Sequence, residues 1–269
     1  VICDTSISKS GNWRDVCIAG AIAYKESDPV KDSSNSAHIF AKITMAGGAN
    51  DASKRVTVGG VVGISAQPCN NITNNGQVEV WGTHHKLYVG GVIGDMNYSA
   101  NKNVGGYHLN ARVVVRGSTT VAHNAYIGGV AAYAKGVMTD LTVGEKGGVS
   151  IGDSKSAATF SKPAFIGGCI GYAENTANSF LSSATNRGAV NVSGNATDVY
   201  YIGGIAGQAL MPINTADNYG TVTVANLVEG GKRYIAGICP YLYGGGSNLT
   251  NHESADINVT ILNGSNTYI

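Results

Sequence analysis

The sequence predicts an all-β repeat protein, a β-solenoid of about seven coils, and three observations predict it. Seven short blocks place Gly-Gly or Ala-Gly after an apolar residue, as in residues 166–171 (IGGCIG) and 202–207 (IGGIAG). The second glycines, at positions 20, 60, 91, 129, 168, 204 and 237, are 31 to 40 residues apart, which is typical of solenoids, propellers and arrays. A turn followed by alternating valines lies between successive blocks.

The alternating valines predict one strand in each repeat. The pattern is clearest in residues 74–80 (NNGQVEV), 186–192 (NRGAVNV) and 218–224 (NYGTVTV). Asn and Gly tolerate the left-handed backbone that a sharp turn needs, and a period of two sends the valines to one face of the strand. We therefore expect a turn, then a strand with one face in the core.

The glycine blocks predict a second strand in each repeat. Glycine inside a strand marks a bend or a close approach of the backbone. Because the pair recurs in register, we expect a corner at which every coil presses against an inner wall. The prediction is a single repeat domain over residues 1–269, with repeats at 17–56, 57–87, 88–125, 126–164, 165–200, 201–233 and 234–269.

An aromatic residue usually lies just before the glycine block and, in a stack of coils, predicts an aromatic ladder. Its members are Tyr88, Tyr126, Phe165, Tyr201 and Tyr234. A patchier series follows four residues after the second glycine, at Tyr24, Tyr133, Tyr172 and Tyr241. The first interpretation is packing between neighbouring coils, since aromatic residues favour strands and pair well with one another. The alternative is a solvent-facing ladder that binds a glycan.

Composition excludes several classes of protein. A chain with 43% hydrophobic residues, 13% charged residues and 38 glycines fits an all-β array. A net charge of +1 without a Lys/Arg cluster predicts no nucleic-acid partner, and no apolar run of about 18 residues predicts a membrane span. Five cysteines without a C-x-x-C spacing support neither a zinc site nor a redox motif, and no cofactor is expected.

The carboxylates do not form a recognisable catalytic pattern. Asp95, Asp140, Asp153 and Glu174 lie 4, 11, 24 and 6 residues after the second glycines of their own repeats, so no two share a phase. A glycosidase needs two carboxylates about 5 to 10 Å apart. The pair His84 and His85 is predicted to lie in a loop and not to bind metal. We therefore expect no catalytic and no metal-binding residues, and a β-helix enzyme acting on polysaccharides is the third hypothesis.

The two ends of the sequence match the repeat pattern in phase. Residues 266–269 match residues 199–202, and residues 1–3 have the pattern of a strand that finishes a repeat. Strand edges at the ends of a stack are templates for further pairing. Either the array continues, or the ends pair head to tail between subunits in a filament. The residues predicted to carry this assembly are Val1, Ile2, Cys3, Tyr268 and Ile269.

The combination of Gly-Gly-x-x-Gly with Asn-x-Gly-x-Val-x-Val resembles the GLUG-type repeats of large bacterial surface and secreted proteins, notably those of gut and oral Bacteroidota. The resemblance covers residues 17 to 262 and is clearest at 166–192 and 202–224. It weakens in the first repeat, where Ala19 replaces a glycine, and in the fourth, which ends in Ala131 and Ala132. The resemblance implies an extracellular or cell-surface β-solenoid, structural or adhesive like a fimbria, whose partners include glycans or a host surface.

A seven-bladed β-propeller is the alternative fold, because seven repeats suit seven blades. A four-stranded blade takes about 40 to 50 residues, and the interval of 31 residues is too short for one. Blades also commonly repeat a tryptophan, whereas the chain contains only Trp13 and Trp81. The sequence therefore favours the solenoid.

Overall fold

The computed structural model describes residues 2–7, 15–45, 53–97, 105–152, 156–227, 231–261 and 266–269. These residues form 31 β-strands and no helix. The strands of the first half of the chain are β1 (Ile2–Ile7), β2 (Asp15–Ala19), β3 (Ile22–Lys25), β4 (Val30–Asn35), β5 (Ile39–Met45), β6 (Arg55–Gly59), β7 (Val62–Ser65), β8 (Cys69–Asn74), β9 (Val78–His84), β10 (Lys86–Gly90), β11 (Ile93–Met96), β12 (Gly105–Leu109), β13 (Arg112–Val115), β14 (Thr120–Val121) and β15 (Ala125–Gly128).

The second half continues the same pattern of short strands. They are β16 (Ala131–Ala134), β17 (Val137–Val143), β18 (Gly148–Ile151), β19 (Ala158–Phe160), β20 (Ala164–Gly167), β21 (Ile170–Ala173), β22 (Phe180–Asn186), β23 (Ala189–Ala196), β24 (Val199–Gly203), β25 (Ala206–Ala209), β26 (Ile213–Asn218), β27 (Val222–Leu227), β28 (Lys232–Ala236), β29 (Gly246–Asn251), β30 (Ile257–Ile261) and β31 (Thr267–Tyr268).

The strands stack into four parallel sheets that run the length of the coil. The first sheet has the order β2-β6-β10-β15-β20-β24-β28-β31, and the second has β3-β7-β11-β16-β21-β25. The third sheet has β4-β8-β12-β17-β22-β26-β29. The fourth has β1-β5-β9-β13-β18-β23-β27-β30, with β14 and β19 beside it between β9 and β23. Each turn of the chain visits the four sheets in this order.

This architecture confirms the β-solenoid. Within the described residues, every strand pair is parallel, and no strand pairs with the next one in the chain. The propeller alternative is wrong, because the strands of a blade are neighbours in sequence and in space, whereas parallel neighbours need a long crossover between them. In the described chain, six turns contribute to all four sheets, and a seventh reaches the second sheet only through the bridge between Ala209 and Leu242.

The core lies inside the coil and follows the predicted alternation. Val190 and Val192 of β23, and Val222 and Val224 of β27, are buried, whereas Thr223 between the latter two is half-exposed. Successive residues of a strand point to opposite faces, so one face of each strand fills the interior. The glycine pairs separate two strands, one in the first sheet and one in the second, so each turn has four strands where the sequence indicated at least two.

The predicted Asn-x-Gly turns form, but for a different reason. Neither Asn186, Asn218 nor the glycine two residues after each of them has a positive φ. Each asparagine is instead the buried last residue of a third-sheet strand. The side-chain oxygen of Asn186 accepts a hydrogen bond from the amide of Gly188 at 3.1 Å, and the side-chain nitrogen of Asn218 donates one to Gly220 O at 2.9 Å. The turn is therefore closed by side-chain hydrogen bonds.

The third sheet bends at one left-handed residue per turn, which the sequence analysis did not identify. These residues lie on adjacent strands at the same register position, and their φ values run from 47° to 79°. They are Asp32, Asn71, Gly106, Asp140, Ser183, Thr215 and Asn248. Most are Asp, Asn, Ser or Thr, whose short polar side chains can hydrogen-bond locally, so no glycine pattern marks the bend in the sequence.

Candidate functional site

The glycine pairs form the predicted corner against an inner wall. A Cβ on Gly168 would overlap the carbonyl oxygen of Gly204 and lie 2.6 Å from Asn186 Nδ2. The corner between the first and second sheets is therefore pressed into the interior. Outside the corner, rings from the two sheets meet, as Phe165 of β20 and Tyr172 of β21 do with a centroid distance of 5.2 Å. We call the outer angle between these two sheets the aromatic groove.

The predicted ladder stacks along the first sheet. Adjacent strands align its members in register, one ring per turn. The ladder continues beyond Tyr234, because Tyr268 in β31 is in register with Tyr234. The centroid distances are 4.7 Å for Tyr88 to Tyr126, 5.2 Å for Tyr126 to Phe165, 5.2 Å for Phe165 to Tyr201, 5.2 Å for Tyr201 to Tyr234 and 4.9 Å for Tyr234 to Tyr268.

The second aromatic series lines the opposite wall of the groove. Tyr133 and Tyr172 stack with a centroid distance of 5.4 Å, and Tyr133 meets Tyr126 edge to face at 5.6 Å. Asp95 and Gln208 occupy the same register position on either side of these two rings. Edge-to-face and offset contacts are the arrangements that aromatic pairs prefer. The two series thus pack against each other outside the main core.

Exposure of the ladder rises toward the C-terminal end of the coil. Tyr126 is 9% exposed and Phe165 7%, whereas Tyr268 is 52% exposed and Tyr241, on the opposite wall, 41%. Burial raises the pKa of Tyr126, so its hydroxyl is neutral at physiological pH. The rings in the middle of the ladder therefore pack between neighbouring turns, and only the C-terminal rings are exposed enough to contact a partner.

Stacking also covers the ring faces, which decides what the ladder can bind. The angle between the ring planes is 1° for Phe165 and Tyr201 and 9° for Tyr201 and Tyr234, so each ring presents its faces to its neighbours. A sugar that stacks on an aromatic residue needs an open face. Among the described residues, Tyr268 has a ring on one face only, that of Tyr234.

The N-terminal part of the groove holds an ion cluster in place of the rings. Arg55 donates hydrogen bonds to Asp95 Oδ2 at 2.6 Å and to Asp15 Oδ1 at 2.8 Å, and its guanidinium lies 5.4 Å from the ring centroid of Tyr88. Burial raises the pKa of Asp95, although the charge of Arg55 partly offsets the shift. Cys17 occupies the ladder position in this first turn. Burial raises its pKa to about 11.

The predicted assembly residues lie on terminal strands. Ile2 and Cys3 belong to β1 and are in register with Phe40 and Ala41 of β5, whereas Val1 lies outside the described residues. At the other end, Tyr268 belongs to β31, and Ile269 is 76% exposed. The two groups of residues are therefore at opposite ends of the coil.

A second surface stack was not identified from the sequence. It lies at the turn between the third and fourth sheets, where the ring centroids of Tyr219 and His252 are 3.7 Å apart and the guanidinium of Arg187 is 4.4 Å from the centroid of the Tyr219 ring. Asp217 Oδ1 lies 2.8 Å from His252 Nε2. Arg187 follows Asn186 and Tyr219 follows Asn218, and this shared position in the Asn-x-Gly turn was the signal in the sequence.

The structure separates most of the carboxylates that were compared in the sequence. Asp95 and Glu174 belong to the aromatic groove, and Lys135 Nζ lies 3.5 Å from Glu174 Oε2. Asp140 is in the left-handed column, and Asp153 lies outside the described residues. Within the described residues, no group of three His, Cys, Asp or Glu side chains could hold a metal ion.

The prediction that His84 and His85 lie in a loop is wrong for His84, whereas His85 is the single residue between β9 and β10. His84 is the last residue of β9, and the two side chains are 1% and 4% exposed. Neither ring nitrogen of His84 has a hydrogen-bond partner among the described residues. Burial, followed by the neighbouring His85, lowers the pKa of His84 to about 3. This histidine is therefore a neutral core residue.

The cysteines serve mainly as small packing residues. Of the four cysteines whose side chains the structure describes, Cys69 and Cys169 are buried and Cys17 and Cys239 are half-buried, and all four are free thiols. Burial raises the pKa of Cys239 to about 12. High pKa values leave little reactive thiolate at neutral pH.

Comparison of the chain with protein-family models, curated proteins and solved structures gave no significant match. Among the described residues, no helix is long and apolar enough to cross a membrane.

Proposed function

We propose that the protein is a non-enzymatic structural or adhesive repeat protein of the cell surface or extracellular space that associates end to end. The observation that carries this proposal is the position of its exposed hydrophobic side chains. In the described chain, the large ones lie only in the first turn and at the C-terminal end. They are Tyr24, Tyr241, Tyr243, Tyr268 and Ile269. Apolar surface that is confined to two places favours contacts there.

The strand edges at the two ends support the same proposal. In the described residues, β1 pairs only with β5, and β31 pairs only with β28. An open edge presents unpaired amide and carbonyl groups, which are a template for another strand. A contact between unlike ends that stacks copies along the axis of the coil does not bring the chain of copies back on itself, so its repetition produces a filament.

The cell-surface location rests on the resemblance to GLUG-type repeats. The architecture is compatible with it, because each turn contacts only its neighbours and builds a stiff rod. Seven coils at roughly 4.8 Å each make a rod of about 34 Å. The buried carboxylates Asp95 and Glu79 are each hydrogen-bonded to an arginine, Arg55 and Arg116, which favours a structural role over a catalytic one.

Electron microscopy of the purified protein at several concentrations tests this function. We expect continuous fibres with a regular axial repeat whose number rises with concentration. Deletion of residues 266–269 removes Tyr268 and Ile269 and should abolish the fibres while the β-rich circular dichroism spectrum is retained. Asn191→Ser, on the outer face in the middle of the coil, is the matched control and should leave them intact. Short isolated rods at every concentration would contradict the proposal.

Glycan binding is the second candidate, and the C-terminal rings favour it. Where β24 and β28 begin, two residues before the ladder positions Tyr201 and Tyr234, there is a cleft of about 470 Å³, lined by Thr197, Asp198, Val199, Gly231, Lys232 and Asn266. An apolar surface next to a few polar groups suits a small polar ligand. A glycan array with the wild type and Tyr268→Ala tests it, and we expect loss of signal in the variant. Phe165→Tyr keeps the buried ladder and should bind as the wild type does. Unchanged binding by Tyr268→Ala would exclude the exposed C-terminal ring as the glycan-binding surface.

A further inference from the structure

The ladder of the first sheet has different residues at its two ends. At the C-terminal end, the ring of Tyr268 stacks on Tyr234 at 4.9 Å and is 52% exposed. At the N-terminal end, the same register position is occupied by Cys17 and then Thr57. A copy of the chain that continued the first sheet would therefore place a sulfur atom on the open ring face. Sulfur makes favourable contacts with aromatic rings.

The first and fourth sheets are stepped in a complementary way. The fourth sheet has one strand more than the third at the N-terminal end, which is β1, and the first sheet has one more at the C-terminal end, which is β31. When β2 of a second copy lies on β31, its β1 reaches β30 of the first copy. Both sheets then continue in parallel. The third sheet keeps a gap of one strand, and the second keeps a gap of two strands that is partly filled by the bridge at Leu242 and bordered by the exposed rings of Tyr24 and Tyr241.

We propose that the partner at the C-terminal end is a second copy of this chain, stacked head to tail so that its Cys17 lies against Tyr268. This inference rests on the proposed end-to-end association and adds the partner and its register. Like ends do not meet in this arrangement, because Tyr268 and Cys17 belong to opposite ends of the coil. Because each added copy continues the stack of strands along the axis of the coil, the contact repeats along an open filament.

Disulfide formation tests the register directly. Neighbouring strands are about 4.8 Å apart, and the Cα atoms of a disulfide are about 4.4 to 6.8 Å apart, so a cysteine at position 268 can reach Cys17 of the next copy. The Tyr268→Cys variant is mixed with an equimolar amount of wild type, assembled, and oxidised with a copper catalyst at alkaline pH, because the pKa of Cys17 is about 11. Because each Tyr268→Cys copy also carries Cys17, we expect covalent dimers and longer oligomers whose peptide map contains the link between positions 17 and 268.

Two controls separate this contact from its alternatives. Tyr243→Cys places a thiol at an end position that is 74% exposed but outside the ladder, and it should not link to Cys17. In the second control, both chains carry Cys17→Ser and one of them also carries Tyr268→Cys. This mixture should lose the covalent products. Both mixtures are examined by electron microscopy before oxidation.

The outcomes distinguish the register from the proposed function. Fibres that form without the 17–268 link, or with a link between two copies of position 268, overturn the head-to-tail register and leave end-to-end association standing. A link that is equally frequent from position 243 also overturns it. Absence of fibres from the wild type overturns the proposed function, and the register with it.

Discussion

The side chains of Asn186 and Asn218 are joined by a hydrogen bond of 2.9 Å from Nδ2 to Oδ1, although 32 residues separate them in the chain. Asn218 donates in turn to Asn251 at 2.8 Å, and Asn35 donates to Asn74 at 2.9 Å in the first two turns. Leu109 and Val143 occupy this position in the third and fourth turns. The asparagine ladder is therefore two separate segments, with an apolar section between them.

Asn218→Ala should cost about 2 to 4 kcal/mol of unfolding free energy. The change removes the acceptor of Asn186 and the donor to Asn251 and Gly220 O, and it leaves buried polar groups without partners. Urea denaturation followed by circular dichroism measures the loss. Asn191→Ala, on the outer face of β23, is the control and should change stability by less than about 0.5 kcal/mol. Equal effects of the two variants would refute the structural role of the ladder.

Phe165→Ala should cost roughly 3 to 5 kcal/mol, because the ring is 7% exposed and stacks on both Tyr126 and Tyr201. Phe165→Tyr should be close to neutral, since tyrosine occupies the same position in five of the other turns that the structure describes. Thermal unfolding of the two variants provides the comparison. A small loss for Phe165→Ala would mean that the ladder does not stabilise the coil.

Arg55→Ala should destabilise the protein by about 3 kcal/mol or more, because it leaves Asp95, whose side chain is 3% exposed, as a buried unpaired carboxylate. Asp15→Ala removes the other partner of Arg55, which is 43% exposed, and should cost at most about 1 kcal/mol. Denaturation at neutral pH distinguishes the two. In Arg55→Ala the pKa of Asp95 should rise further, so the deficit relative to the wild type should shrink as the pH falls.

His84 should make stability depend on pH. Its pKa is about 3 in the folded protein, against an ordinary value of 6.5, so the unfolded chain binds the extra proton between these limits. Stability from this residue is complete above about pH 6.5 and is lost as the pH falls toward 3, by a few kcal/mol in total.

Denaturation at several pH values compares the free energy of unfolding of the wild type with that of His84→Leu. As the pH falls below 6.5, the wild type should lose stability relative to His84→Leu. Val121→Ala, whose residue is in register with His84 one turn later, is the control without a titrating group. Its effect should be the same at every pH. A constant difference for His84→Leu would show that the histidine does not carry this pH dependence.

The repeat, the strands and the aromatic ladder were predictable because identical interactions recur at each turn. A side chain at Gly168 would overlap its neighbours at the corner beside Asn186, and the corners of other turns have the same constraint. Glycine is therefore required at a regular interval in the sequence. The alternation of Val222 and Val224 with Thr223 reports an inside and an outside in the same way. Local chemistry repeated many times is visible without a structure.

Other features depend on neighbours that are distant in the chain. The left-handed residues of the third sheet, among them Asp140 and Thr215, share no residue type, so only their alignment in space reveals them. The sequence did not indicate that His84 is buried, because the residues next to it in the chain resemble a loop and the turns that cover it are distant in the sequence.

The sequence by itself determined that the chain repeats, that its strands bury one face and that its rings fall into one phase, since each follows from residue type and period. Only the tertiary structure decided that the four sheets are parallel, that Phe165 is covered while Tyr268 is open, and that Arg55 joins Asp15 to Asp95. Exposure and pairing are properties of neighbouring turns, and they exist only when the coil is stacked.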